Sequence, residues 1–329
     1  FKTGVMRDGT IVARTADLTY DSGAYGAFRP QTGISYGARC LGPYRVPNGR
    51  IDSRAVYTNL VPGGSMRSPG DPQSIFASEA HLDLVARELG IDPLDFRLHN
   101  VVRDGDVSAI GKAWRTPIAA RLLERAADAS AYRAPLPSVK GKRRGRGISL
   151  CERGTGAGPC TARISIGETG AVTVNISLRD TGSGFYTMLP QVAAEVLGIP
   201  SEHVRMETWS TDAIPDDGGV GGARVTNTAG NAVLEAARRA RDVIARAVAT
   251  HIDCTPEDVE FGDEQVGTGN QRLTWTEAVS LNGAPVSIEH THVAPAAQDD
   301  TVFTVQIAEV DVDEETGAVQ VTRITSVHD

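Results

Sequence analysis

The chain has 329 residues, enough for two domains at about 150 residues each. Hydrophobic residues make up 40% and charged residues 22%, a balance that excludes wholesale disorder, and no apolar run approaches the roughly 20 residues of a membrane helix. A net charge of −8 excludes a general nucleic-acid coat, and four cysteines in so long a chain make no disulfide scaffold and suit a cytoplasmic protein.

The opening FKTGVMRDGTIV has no initiator Met, basic n-region or apolar h-region, and the chain stops at ITSVHD in an alternating run. Both termini read as cuts within a larger protein or borders with another chain. Residues 1–60 hold short alternating runs, with Ile11–Ala13 and Val56–Leu60 as strand candidates around a loop-rich segment containing Gly23, Gly26, Gly33, Gly37 and Gly42. Asp71 suits a helix cap and Pro72 the first helical position. Phe76, Ala80, Leu84 and Val85 then share one face, and Gly90 can end the helix. Asp92-Pro93 repeats the start signal for a helix through Asn100. A third helix follows Thr116-Pro117, with Leu122, Leu123, Ala126 and Ala127 as its apolar stripe.

Residues 134–146, APLPSVKGKRRGR, read as a linker whose Lys140, Lys142, Arg143, Arg144 and Arg146 form a solvated connector. Beyond it, Ile164 and Ile166 alternate against Val172, Val174 and Ile176 across a turn at Glu168-Thr169-Gly170, which predicts a hairpin. RDTGSGFYT feeds a helix ending at Gly198, VRMETW is a short strand, and DDGGVGGARVTNTAGNAV feeds a long helix whose apolar positions run from Val233 to Val248. FTVQIAEVDVD and VQVTRITSV form a last hairpin around Glu314-Glu315-Thr316-Gly317. Strands and helices alternate throughout, with hairpins among them. This predicts an α+β fold of two mixed-sheet domains, 1–133 and 147–329, rather than a doubly wound sheet.

Three glycine-rich turns are the candidate sites. Gly182-Ser183-Gly184 and the run Gly218 to Arg224 each open into a helix, where backbone N–H groups and the helix dipole suit an anion such as phosphate. Arg224 adds a group that can grip phosphate. In the third turn, Gly63 to Gln73, one guanidinium, Arg67, stands between glycines just ahead of a helix. Other candidates are weaker. There is no CxxC, His290 and His292 alternate as on a solvated strand edge, and Asp216-Asp217 resembles a turn more than a calcium loop.

The glycine segments occur in a fixed series: GAYGA; GPYRVPN with VYTN; GSMRSPGDPQSIFASEAHLDLVARELGIDPLDFRLHN; RDTGSGFYT with QVAAEVLGIP; GGVGGARVTNTAGNAV; AEVDVDEETGAVQV. The series resembles the molybdenum-binding large subunit of the xanthine dehydrogenase/aldehyde oxidase/carbon monoxide dehydrogenase family, as a fragment or split chain. The resemblance implies a molybdenum hydroxylase with molybdopterin cytosine dinucleotide as cofactor and an iron–sulfur small subunit and an FAD medium subunit as partners. It also implies an aldehyde or N-heterocycle as substrate, hydroxylated with oxygen from water.

Carried over by position, Arg67 matches the family's Arg beside the molybdenum, Ser68 falls where carbon monoxide enzymes have Cys, and Pro69 falls where xanthine oxidases have a stacking Phe. Gly182-Ser183-Gly184 matches a GQG turn that contacts the pterin, with Ser183 in place of Gln, and Gly221-Gly222-Ala223-Arg224-Val225-Thr226 matches the loop flanking the pterin and its phosphates. Ser35 stands where xanthine enzymes have a substrate-orienting Arg, for which Arg39 is a poor substitute, so purine hydroxylation is not expected. The family's upstream pterin loop and downstream glutamate general base are not found in the sequence, so this chain by itself is expected to be inactive. The alternative reading is a non-catalytic cofactor-domain fragment or assembly module.

Overall fold

The computed structural model describes all residues except 26–35, 65–66, 110, 112, 116, 209, 211, 213–217 and 296–300. Ser35, Thr116, Asp216 and Asp217 therefore lie outside the described residues. Two compact units form, one from Phe1–Gly154 with Gln298–Asp329 and the other from Thr155–Ala297. The α+β class is as expected, with helices set against several small mixed sheets.

In the first unit, strand β1 (Lys2–Val5) pairs antiparallel with β2 (Ile11–Gly23), and β3 (Gly49–Tyr57) runs parallel to β2. The strand expected at Val56–Leu60 is only the tail of β3. Its body, GRIDSRAV, is a weakly buried edge whose polar sequence carries little apolar alternation. Gly23 ends β2 with φ 67°, and a Cβ there would lie 2.5 Å from the Val61 carbonyl oxygen. Only glycine allows that approach.

Helix α1 (Asp71–Leu89) starts where expected but is capped by left-handed Gly70, not by Asp71. Its buried face is also not the expected one. Phe76 and Leu84 are 77% and 60% exposed, whereas Ser74, Ser78, Glu79, Leu82 and Ala86 are buried. The apolar period misled because polar partners satisfy this face from within. The Glu79 carboxylate accepts from Tyr44 Oη, Arg97 Nε and the Leu150 amide, and Ser78 Oγ accepts from Arg14. Helix α2 (Pro93–Asn100) is capped by Asp92, which accepts from the amides of Leu94 and Asp95. Helix α3 (Ala119–Ser130) buries the expected stripe of Leu122, Leu123, Ala126 and Ala127.

The expected linker at 134–146 is not a solvated connector from Lys142 onward. Strand β4 (Lys142–Gly154) pairs along its whole length with β12 (Thr301–Asp313), whose other edge pairs with β13 (Val319–His328). Arg143, Arg144 and Arg146 form ion pairs with Glu314, Asp311 and Glu309 at 2.7, 2.7 and 2.8 Å. The basic run and the acidic EVDVDE segment are complementary sides of one sheet. Ile148, Leu150, Phe303, Val305 and Ile307 carry its apolar face into a core with Leu122, Leu123 and Trp114.

In the second unit, β5 (Gly158–Ile166) and β6 (Val172–Ile176) form the expected hairpin; β11 (Val286–Ala294) flanks β5, and β7 (Val204–Thr208) runs parallel to β6. Helix α4 (Phe185–Leu197) and the alanine-rich α5 (Asn231–Ile252) pack with this sheet in one core. Ile164, Ile166, Val174 and Ile176 meet Leu189, Ala193, Leu197, Ala236 and Ala240 there. A second sheet, β8 (Glu260–Gly262), β9 (Gln265–Thr268) and β10 (Gln271–Thr274), is followed by the short helix α6 (Trp275–Ser280). Both long helices of this unit begin just after the glycine segments singled out by sequence.

Candidate functional site

In the first unit, Arg67, Ser68 and Pro69 form the turn before α1. Ser68 is left-handed at φ 56°, a conformation that is costly for a residue with a side chain. The turn closes by a 3.0 Å bond from the Asp71 amide to the Ser68 carbonyl. Asp71, buried in the first position of α1, pairs with both Arg39 and Arg153. Arg39, already paired to Asp71, is thus committed to this anchor. Arg67 is exposed and makes no hydrogen bond or ion pair among the described residues. Its guanidinium therefore stands on an anchored turn, unpaired by any described residue. Ser68 borders a cavity of about 690 Å³ that runs along α1 to β4 and β12, with Phe76, Gly147 and Ala308 in its walls.

In the second unit, the Gly182–Gly184 turn is not the open nest of amides that the sequence suggests. The amides of Gly182, Ser183 and Gly184 donate to Asp180 Oδ1 at 2.8, 2.9 and 3.3 Å, and that of Tyr186 donates to Oδ2. Partial desolvation raises the Asp180 pKa, but these amides outweigh it and hold the carboxyl below the usual carboxylate range. A depressed folded-state pKa means that this contribution is present above about pH 4 and lost as pH falls through the folded value. Asp180→Ala is expected to speed amide exchange at residues 182–184 roughly fivefold in NMR measurements at neutral pH. Unchanged exchange would mean that the turn holds without its carboxylate.

The Gly218–Thr226 loop is tied to the segment after β4. Gly156 donates its amide to the Gly222 carbonyl at 2.7 Å, and a Cβ on Gly156 would lie 2.8 Å from Arg224 Cβ. Arg224 folds back over Gly218 and donates from Nη2 to the Pro159 carbonyl at 3.4 Å. Ala223 is left-handed, and Thr226 opens a π-helical turn, Thr226–Gly230, that runs into α5. Such turns are frequent at functional sites. Helix α4 packs against this turn, so the two glycine segments of the unit serve neighbouring helix starts.

Among the described residues of this unit, the buried side-chain polar atoms without a hydrogen-bond partner are Thr155 Oγ1, Arg224 Nε and Asn227 Nδ2. All three belong to the loop or to the segment tied to it. Buried polar groups are normally satisfied, so these three atoms are open to a polar ligand, while the first unit holds further such atoms, among them Arg14 Nε and Ser53 Oγ. In front of Gly182, Gly184 and Gly221 there is no atom within 4 Å of where a Cβ would stand, which leaves room for a ligand to approach the backbone. Sequence reasoning missed Thr155, Gly156, Asn227 and Asp180. The GTGAGP stretch was a fourth glycine signal that could have pointed to the first two. His290 and His292 are half-buried on the edge strand β11, and the described residues contain no metal-binding group of three or more His, Cys, Asp or Glu. The cysteines are free thiols.

Two family models, each described as a molybdopterin cofactor-binding domain, match residues 1–101 and 120–329. The chain belongs to the molybdopterin-binding family of molybdenum hydroxylase large subunits. This molybdopterin-binding chain is 26% identical over 97% of its length to a probable xanthine dehydrogenase subunit from Bacillus subtilis, covering 45% of that protein. It is 30% identical over its whole length to the aldehyde oxidoreductase of Megalodesulfovibrio gigas, covering 36% of it. The crystal structure of quinoline 2-oxidoreductase from Pseudomonas putida 86 superposes on 99% of the chain with a TM-score of 0.85 at 25% identity, over 46% of the solved chain. The molybdopterin-binding chain thus spans less than half the length of these relatives. The unsatisfied donors, the hydroxyl and the open glycine backbones fit the polar edge of a molybdopterin.

Proposed function

We propose that the chain acts within a molybdenum hydroxylase large subunit that hydroxylates an aldehyde or N-heterocycle with oxygen from water, and that electrons leave to iron–sulfur and FAD subunits. The sequence segments 1–133 and 147–329 contribute its two cofactor-binding parts, with 147–154 and 298–329 folded into the first compact unit. The observation that carries this reading is the set of unpartnered buried groups at Thr155, Arg224 and Asn227 around the loop that the family uses. The cofactor, molybdopterin cytosine dinucleotide, supplies the two-electron redox chemistry when bound. The backbone of Gly221, Gly222 and Ala223, with Arg224 and Thr226, holds its polar edge, and Gly182, Ser183 and Gly184 give it a close backbone wall. Arg67 offers a guanidinium to negative charge that develops on the reacting oxygen, and Ser68 and Pro69 border the substrate. Ser68 in place of Cys disfavours carbon monoxide oxidation, and Pro69 offers no aromatic face for stacking. A cytoplasmic setting is consistent with the four free thiols.

The test is molybdenum and cytidine nucleotide content of the assembled complex, with turnover of aldehydes and N-heterocycles. An assembled complex free of molybdenum overturns the reading. Arg224→Ala is expected to weaken cofactor retention about 10- to 100-fold, the range of a lost charge-assisted hydrogen bond, read as molybdenum per complex after dialysis. A second reading, a non-catalytic cofactor or assembly module, is favoured by one observation. Asp180 already occupies the amides of the Gly182–Gly184 turn, where the family's Gln is replaced by Ser183. A loaded complex without turnover would select it.

A further inference from the structure

The turn that carries Arg67 is supported unevenly. Ahead of it, Gly63 and Gly64 bring no side chains, and no atom lies within 4 Å of a Cβ placed on Gly64. Behind it the chain is tight. Ser68 and Gly70 are both left-handed, at φ 56° and 81°. The Asp71 amide donates to the Ser68 carbonyl at 3.0 Å and the Ser74 amide to the Gly70 carbonyl at 3.1 Å. A carboxylate at a helix start ordinarily accepts from the first free amides. Asp71 stands one place inside α1, behind the Gly70 cap, and pairs with two guanidiniums instead. Arg39 comes from the 3₁₀ turn Tyr36–Leu41 and Arg153 from the end of β4. Asp71 is buried, and the Arg39 and Arg153 side chains are only 28% and 25% exposed. One carboxylate thus ties the first residue of α1 to two elements that are far from it in sequence.

We propose that Asp71 is a positioning residue for Arg67, holding its turn through the clamp to Arg39 and Arg153. This rests on the reading above, in which Arg67 serves the reacting oxygen. Desolvation offsets most of what a buried ion cluster gains in attraction, so net stability is a poor reason for one; a single fixed arrangement is the better one. The clamp holds only while the Asp71 charge is present. Without it, two guanidiniums face each other and the positive end of α1. They separate, and the turn loses its tie to β4 and to the 3₁₀ turn. With glycines on the other side, nothing described there takes over the support. A misplacement of about 1 Å in a group that acts on the reacting atoms costs up to about 10²-fold in rate.

The test is a double-mutant cycle in the assembled complex, with variants matched for molybdenum content. Asp71→Asn is expected to lower kcat about 10- to 30-fold and to change KM less than about threefold. In an Arg67→Ala background the same change is expected to cost no more than about twofold, because the group it positions is gone. An equal loss in both backgrounds would make Asp71 a merely structural residue and overturn the proposal, as would an unchanged kcat. Arg153→Gln, which leaves Arg39 on the carboxylate, is the milder variant should Asp71→Asn fail to assemble. It is expected to lower kcat about 3- to 10-fold with the same dependence on Arg67. Hydrogen exchange gives a readout apart from activity. The amides of residues 71 and 74 are expected to exchange about tenfold faster in Asp71→Asn, and unchanged exchange overturns the clamp. A wild-type complex that holds molybdenum but turns over no aldehyde or N-heterocycle counts against the proposed function, and the exchange measurement then still decides whether Asp71 holds the turn.

Discussion

Arg67→Ala in the assembled enzyme is expected to lower kcat about 10²- to 10³-fold while changing KM much less, the pattern of a donor that acts on charge developing in the transition state. The geometry supports this size of effect. Arg67 rides on a turn fixed by the Ser68–Asp71 backbone bond, and the following carboxylate is clamped by two other guanidiniums, Arg39 and Arg153. Those two are committed to Asp71, whereas Arg67 has no partner among the described residues. An unpaired donor has no existing hydrogen bond to break when charge forms near it. Arg67→Lys keeps the charge but loses the planar fork, so partial activity is expected from it. Steady-state kinetics on complexes matched for molybdenum content would check both variants. An unchanged kcat for the alanine variant removes Arg67 from the reaction and leaves it a surface residue on a helix entry.

What the sequence made legible followed apolar periodicity and glycine punctuation. The β5–β6 hairpin, the α3 stripe and the starts of α4 and α5 were readable because their buried faces are predominantly apolar and their ends carry Gly or Pro. The same rule failed at α1 and β4 for one shared reason. Ser78 and Glu79 are buried because polar partners distant in sequence, Arg14 for Ser78 and Tyr44 and Arg97 for Glu79, satisfy them, and no local pattern announces such partners. The basic run from Lys142 to Arg146 is likewise a strand only because Glu309 and Asp311 lie opposite it, more than 160 residues along the chain. Of the candidate site, the glycine series and its family resemblance singled out the loops. The donors inside them are set by how the chain folds. Asp180 occupying the 182–184 amides, and Thr155 and Asn227 left without partners, are facts of chain geometry rather than of residue type.

Arg97→Ala is expected to destabilise the first unit by about 3–5 kcal/mol, the cost of stranding a buried charge. Arg97 is fully buried. Its Nε donates to Glu79 at 2.9 Å, Nη1 donates to Asp83 at 2.7 Å and Nη2 donates to the Glu79 carbonyl at 3.1 Å. Burial alone would lower its pKa, but Glu79, Tyr44 and Asp83 outweigh burial and raise it, so the group stays charged throughout the stable range. The alanine variant leaves the Glu79 carboxylate held only by the Tyr44 hydroxyl and the Leu150 amide, in a core that cannot solvate it. Removing both charges should be milder than removing one. Glu79→Gln combined with Arg97→Met is expected to recover at least half of the loss, because the buried Glu79 charge is gone and only the part-exposed Asp83 loses its partner. Hydrogen exchange of α1 and α2 peptides by mass spectrometry reads the local free energy for each variant. A cost below about 1 kcal/mol for Arg97→Ala would place the pair among solvated salt bridges and contradict its burial. Because Glu79 lies on α1, whose first turn follows Arg67, the single variant should also loosen the Arg67 turn, seen as faster exchange of the Asp71 and Ser74 amides.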